Sequence, residues 1–295
     1  MKQTKRLKRS LGALLVLLTM FVPQGLRAQT IITAGNCATY GLTEDYVGYY
    51  AINSVDDLYK WAAIINKAFN DAGGDWNHKK AVLKGKYSAV LCKDIVVNKD
   101  LLQRNADGTP TVDGEFLSGR VTLNNTKARR WDEITLFCGT LDGNGHSISG
   151  LYGHEEKVNA GSSFMGDLIN GTIKNLTIKD SYFRFNNSKV LNEAKDGYDV
   201  SIGHIGGFAQ GVFNSDVINT TFEGVVLTYR GCAGGLCAVG ESSNFVKCVA
   251  KGYVKGGAYN LKQGKYDTFG AGAIAGDLST SKITACINEA KGFGY

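Results

Sequence analysis

The sequence predicts an all-β fold: a right-handed, single-stranded parallel β-helix, a solenoid, with an amphipathic helix capping its N-terminal end. Three observations carry that reading. Four segments of the second half repeat one pattern of glycine, polar turn and spaced apolar residues. The apolar spacing within each ends in a two-residue step, which is strand alternation. One stretch ahead of the repeats has apolar residues at helical spacing instead.

The chain opens "MKQTKRLKRSLGALLVLLTMFVPQGLRAQT". Lys2, Lys5, Arg6, Lys8 and Arg9 precede an apolar run from Leu11 to Val22, broken by Pro23 and Gly25 before the small Ala28. This is the layout of an export signal, expected to be cleaved after Ala28. The run is about a dozen residues, short of the roughly 20 that a membrane-crossing helix needs. Residues 1–28 hold six basic and no acidic residues, so the 33 Lys and Arg of the whole chain fall to parity with its 27 Asp and Glu once they are removed. The basic balance belongs to the signal. It points to neither nucleic acid nor an anionic membrane as a partner.

Residues 29–135 read as a cap region. In "AINSVDDLYKWAAIINKAFNDAGG", Ser54 can cap a helix with Asp57 three residues on. Leu58, Trp61, Ala62, Ile65 and Phe69 then share one face, and Gly73 and Gly74 end it. The helix is expected at about 54–70. Two short β-like runs follow, "YSAVLC" and "DIVVN", then a loop-rich stretch around 103–130. A lone helix cannot bury its own apolar stripe, whereas a solenoid needs its exposed end covered. The helix is therefore placed over that end.

From residue 136 to 295 the repeats take over. They are "FMGDLINGTIKNLTIKD", "FAQGVFNSDVINTTFEG", "CAVGESSNFVKCVAKG" and "IAGDLSTSKITACINEA", with motif glycines Gly166, Gly211, Gly240 and Gly276. A first core column holds Ile173, Val217, Phe245 and Ile283. A second, three residues on, holds Leu176, Thr220, Cys248 and Cys286. A third holds Ile178, Phe222, Ala250 and Asn288. The odd step between the first two columns is read as a bulge or corner. No single repeat can bury an apolar face alone, so stacking must build the core. Stacking would bring Cys248 beside Cys286. All seven cysteines lie beyond the signal, and most are read as small buried apolar residues rather than disulfides. No cap is read after the last repeat, so an oligomer, a partner or further chain is expected to cover that end.

The stretch "GTLDGNGHSISGL" resembles a segment that opens many exported bacterial β-helix proteins. The glycine-bracketed "GGFAQG", "GGLCAVG" and "GAGAIAG" resemble the GLUG motif, and "YAINSVDDLYKWAAIIN" followed by "KDIVVN" looks like the lead-in of such proteins from the Bacteroidetes. The resemblance runs from Tyr49 to Ala290. It departs from the pattern at Val212, Cys237 and Ala238, and in the alanine-rich third motif. It implies a secreted or cell-surface protein of adhesin-like type. GLUG repeats also accompany peptidase domains in immunoglobulin-cleaving enzymes, where they are not the catalytic part. This chain holds no His-Glu-x-x-His.

The residues that can carry chemistry are few. Asp142, Gly143, Asn144, Gly145 and His146 form a turn set. Asp142 as one of a carboxylate pair and His146 as an acid or base are the sharper readings, and the turn reading is preferred to both. Glu241 and Asp277 each follow a motif glycine. On neighbouring turns their carboxylates would lie about 5 Å apart and could share a Ca²⁺; a solvated turn acid is the plainer reading. Tyr182, Phe183 and Phe185 fall in the longest interruption between repeats and are candidate glycan-stacking rings on a loop. His78, His154 and His204 show no metal-ligand spacing, and no catalytic residue or cofactor is assigned. The function expected is an exported surface or secreted binding module for glycans or host glycoproteins, working without catalysis. The alternatives are a carbohydrate-active β-helix enzyme (a lyase or glycoside hydrolase) and a structural stalk.

Overall fold

The computed structural model describes residues 29–111, 124, 127–153, 160–186, 189–192, 197–200, 202–228, 230–256, 259–260, 265–266 and 269–293. The export signal expected at 1–28 and the histidine at 154 lie outside them. The described chain is predominantly β, organised as four parallel sheets. Sheet 1 contains Tyr50–Ile52, Ala89–Leu91, Thr140–Asp142, Thr172–Lys174, Asp216–Ile218, Asn244–Val246 and Lys282–Thr284. Sheet 2 contains Ile95–Val96, Ser147–Ser149, Thr177–Asn186, Thr221–Leu227, Val249–Lys255 and Ile287–Phe293. Sheet 3 contains Ile134–Phe137, Met165–Ile169, Ala209–Phe213, Cys237–Glu241 and Ala275–Ser279. The short sheet 4 contains Ile205–Gly206, Ala233–Gly234 and Ala271–Gly272.

The chain visits sheets 3, 1 and 2 in turn and then starts again, each strand pairing with the equivalent strand of the next repeat. Val217 is the cross-strand partner of both Ile173 and Phe245, and Phe245 pairs with Ile283. Phe222 pairs with Ile178 and Ala250, and Ala250 with Asn288. These two columns are continuous through the stack. Between them the second column, Leu176, Thr220, Cys248 and Cys286, sits at the corner from sheet 1 to sheet 2.

The corners have a defined chemistry. Leaving sheet 3, Asn170, Asn214, Ser242 and Thr280 take left-handed backbone (φ 50, 48, 53 and 48°); leaving sheet 1, Asn175, Asn219, Lys247 and Ala285 do the same (φ 52, 49, 54 and 53°). Such φ values turn the chain sharply, and asparagine tolerates them better than most residues. The side chains form ladders. Asn219 Nδ2 donates to Asn175 Oδ1 at 2.9 Å, and Asn175 Nδ2 to Asp142 Oδ1 at 3.1 Å. At the other corner, each backbone N–H donates to a hydroxyl of the following turn: Gly171 to Ser215, Ser215 to Ser243, Ser243 to Ser281, each at 3.1 Å. Cys248 N–H likewise donates to Cys286 Sγ at 3.3 Å. Side chains thus satisfy backbone groups where the ladder of strand bonds is interrupted.

One expectation is corrected at this level. The motif glycines do not form a column: Gly211 lies opposite Asp167 and Val239, while Gly240 lies opposite Val212 and Leu278. A glycine can serve several backbone positions, so it marks register poorly. The left-handed corner residues mark it better.

Helix α1, Val55–Asp71, begins where Ser54 Oγ accepts the Asp57 N–H at 3.1 Å. Leu58, Trp61, Ala62 and Ile65 are buried; the Trp61 ring meets Phe137 edge-on at 5.4 Å, and its Nε1 donates to Tyr87 O at 2.7 Å. Asn66 lies against the first strand of sheet 3, accepting from Thr135 N and donating to Glu133 O, both at 2.9 Å. The open edge of that sheet is thereby occupied. The first strand of sheet 1 is covered too: Ile31 bridges Tyr50 in antiparallel sense, and Ala51 N donates to Thr30 O at 2.9 Å. Helix α2 spans Trp76–Leu83, a stretch in which only Leu83 is buried. It is capped by Asp75, whose Oδ1 accepts the His78 N–H at 2.9 Å. No helix among the described residues is long and apolar enough to cross a membrane.

Candidate binding groove

After Ile95–Val96 the chain leaves the stack and returns across the outward face of sheet 2. Apolar contact holds it there: Leu101 and Leu102 are buried with Tyr182, Val225 and Leu227, and Tyr152 stacks on Tyr182 at 6.0 Å. A carboxylate fixes its path. Asp180 takes φ 49° and breaks the register of its strand between Lys179 and Ser181. Its oxygens accept the N–H groups of Leu101 at 2.7 Å and Leu102 at 3.3 Å, and a bond from Arg104 Nη2 at 3.3 Å. Arg104 also pairs with Glu223 at 2.9 Å. Asn124 closes the loop by donating through Nδ2 to Asp100 O at 3.0 Å and Leu102 O at 3.1 Å.

Between this segment and the sheet lies a groove of about 490 Å³, lined by Val96, Lys99, Asp100, Leu102, Arg104, Asn124, Ser149, Lys179 and Asp180. Asp180 and Arg104 are already engaged with the segment and with each other. Ser149 is buried, its hydroxyl donating to Ile95 O at 3.5 Å, while the exposed Lys99, Asp100 and Lys179 set ammonium and carboxylate groups along the trough, with Lys99 and Asp100 4.0 Å apart. Hydrogen bonding and charge recognition of a polar ligand are what such a set can do. Among the described residues, no three His, Cys, Asp or Glu side chains come together as a metal-binding group.

The aromatic expectation is corrected. Tyr182, Phe183 and Phe185 do not lie on a loop; they belong to the strand Thr177–Asn186. Strand alternation sends Phe183 inward, fully buried and 6.3 Å from the Phe222 ring. Tyr182 faces outward but lies beneath Leu101 and Leu102, 4 % exposed. Phe185 is partly buried against the core. The alternation in "SYFRF" was the signal that could have placed them.

Glu241 and Asp277 sit on adjacent strands of sheet 3 and are both exposed, but Glu241 lies opposite Ser279 and Asp277 opposite Val239. They are offset by two residues, because Gly240 lies opposite Leu278 and not opposite Gly276. The juxtaposition needed for a shared cation is not formed in this register.

Asp142 is buried at the foot of the asparagine ladder. It accepts from Asn144 N at 2.8 Å, Asn175 Nδ2 at 3.1 Å and Tyr46 OH at 2.8 Å, and pairs with Lys174 at 3.2 Å. Burial pushes its pKa up, but these hydrogen bonds and the lysine charge outweigh burial and hold it below the ordinary value. Asn144 and Gly145 both take positive φ, 51 and 81°. A Cβ on Gly143 would lie 2.3 Å from Asn175 O, so the turn admits only glycine there. His146 Nδ1 lies 3.7 Å from Asp94. These contacts close the turn through Asn144 and tie it to Tyr46 of the N-terminal region and to Lys174 and Asn175 of the next repeat.

Sequence reasoning did not single out Glu133. It precedes the first strand of sheet 3, and its Oε2 accepts from Ser163 N at 2.6 Å and Gln210 Nε2 at 2.9 Å. Burial dominates over those two bonds, and with the charge of Asp167 it pushes the carboxyl up to about 8. Asp167 is raised by burial as well.

No protein-family model matches the sequence, and no curated protein matches it. Among solved structures, the chain is similar to a Bacteroides ovatus protein provisionally named as an immunoglobulin A1 protease. The two share 16 % identity with a TM-score of 0.42, over 85 % of this chain and 68 % of that one.

Proposed function

We propose that this chain is an exported, adhesin-like binding module. Its strands wind as a right-handed parallel β-helix of the glycine-bracketed repeat type, and it recognises glycans or host glycoproteins without covalent chemistry. The observation that carries the reading is the groove over sheet 2. It is a trough of about 490 Å³ of mixed polar and apolar lining, with Lys99, Lys179 and Asp100 along it, set on a parallel sheet. Polyhydroxylated ligands match such mixed donors and acceptors, and the buried Leu101–Leu102 anchor holds the groove wall without ligand. The basic, then apolar, N-terminal segment supports export. Calorimetric titration of the full protein against neutral and acidic oligosaccharides tests the reading. Lys179→Ala combined with Lys99→Ala is expected to weaken binding at least about tenfold, equivalent to about 1.4 kcal/mol. Binding unchanged in that variant would move the site away from the groove. No binding to any oligosaccharide would favour the stalk.

A further inference from the structure

The two ends of the stack differ. At the N-terminal end, residues 30–32 and helix α1 occupy the edges of sheets 1 and 3. At the other end, Ala275–Ser279, Lys282–Thr284 and Ile287–Phe293 are edge strands, and no strand among the described residues pairs with their far sides. Apolar surface gathers there: Ile283 is 50 % and Ile287 52 % exposed. Exposed strand edges with apolar side chains are templates for further pairing.

The edge strand of sheet 2 reads Ile287-Asn-Glu-Ala-Lys-Gly-Phe293. Glu289 faces outward, since it pairs across with Lys251 and bonds it at 2.9 Å. Position 291 lies opposite Tyr253, which packs in the outward cluster. Glu289 and position 291 therefore share the outward face, two residues apart, with Ala290 between them. When a second copy of this strand is added antiparallel about a two-fold axis, residues of the same face must oppose one another. A register centred on residue 289 sets Glu against Glu, and one centred on 291 sets Lys against Lys. Centred on Ala290, Glu289 meets Lys291 of the second copy, and the pair occurs twice by symmetry. The backbone agrees. Ile287 N–H points to the preceding strand, bonding Cys248 O at 2.8 Å, so alternation turns Ala290 to the free edge. There Asn288 Oδ1 accepts the Ala290 N–H at 2.9 Å, standing in for a neighbouring carbonyl.

We infer that this end of the stack is a self-association surface, which takes a second copy of the chain through antiparallel pairing of residues 287–293 about Ala290. Asn288 releases the Ala290 N–H to the carbonyl of the second copy, and the two Glu289–Lys291 contacts fix the register. The inference rests on the strand stacking and not on the groove, so failure of glycan binding leaves it standing.

Sedimentation of the full protein at micromolar concentration, with circular dichroism as a check on folding, tests it. Wild type is expected at twice the chain mass. Glu289→Lys and Lys291→Glu singly are expected at the single-chain mass. The double variant, which reverses both charges, is expected to recover the doubled mass although the Lys251–Glu289 contact stays broken. Wild type at the single-chain mass would overturn the inference. So would a doubled mass that the single variants leave unchanged, or a double variant that stays folded and does not recover.

Discussion

The early turns of the stack and its last turn use the same corners with different residues. Through residues 140–227 the left-handed residues that end the strands of sheets 3 and 1 are asparagines, Asn144, Asn170, Asn175, Asn214 and Asn219; in the last turn they are Thr280 and Ala285, with Ser242 and Lys247 in the turn between. Ile173, Val217 and Phe245 are buried in their column, whereas Ile283 is half exposed. In a stack each turn contacts only its neighbours, so stability is roughly a sum of local and nearest-neighbour contributions. The early turns have favourable corner residues and two neighbours each. The last turn has strained corners and one described neighbour. Stability should therefore decline along the chain.

The sharpest way to break this comparison is a pair of core truncations. Phe222→Ala, in an early turn, is expected to cost about 3–5 kcal/mol. Ile283→Ala, on the half-exposed last strand, should cost less than about 1 kcal/mol. Urea unfolding followed by circular dichroism measures both, and equal losses would refute the gradient.

A titration comes second in size. The carboxyl of Glu133 stands near 8 in the folded chain against 4.5 for the free group. Between those values the unfolded chain has lost a proton that the folded chain keeps. Stability is expected to fall as pH rises from about 4.5 to about 8, and to level off above, by at most about 5 kcal/mol. Glu133→Gln should remove most of that slope. Denaturation midpoints across the range decide it, and a slope preserved in the variant would point to another group. Because Glu133 joins the capped end to Ser163 and Gln210, the effect belongs to the early turns.

Corner exchanges are smaller and opposite in sign. Asn175→Ala loses two ladder bonds and puts alanine in left-handed backbone, an expected cost of about 1–2 kcal/mol. Ala285→Asn should stabilise the last turn by about 0.5–1 kcal/mol, read as slower hydrogen exchange in residues 282–293. If both changes destabilise, corner propensity is not what separates the regions. Smallest of all, Lys179→Ala should shift stability by no more than about 0.5 kcal/mol, since it lies on an exposed groove wall.

What could be read in advance was local. Ser54 and the apolar residues from Leu58 to Phe69 announced helix α1, because cap and face are both encoded within a few residues. Two of the three columns pair residue for residue along strands, the second lies at the equivalent corner of each turn, and the three-residue step between the first two is a left-handed corner. The sites were harder. Glu133 looks unremarkable in "WDEITLF"; its burial depends on Ser163 and Gln210, 30 and 77 residues away. The groove depends on Asp180 meeting Leu101 and Leu102 nearly 80 residues earlier. Tyr182 looked available because nothing near it in sequence shows the segment that covers it. Contacts of that separation leave no periodic trace.

The hydroxyl ladder at the sheet 3 corner has a direction. Gly171 waits for Ser215, Ser215 for Ser243, and Ser243 for Ser281. The backbone of each corner is completed by a residue made later. A chain emerging N-terminus first therefore always carries an unfinished trailing turn, and each arrival seals the one before it. Construction is vectorial, like a wall laid course upon course, with the helix-covered end as the footing.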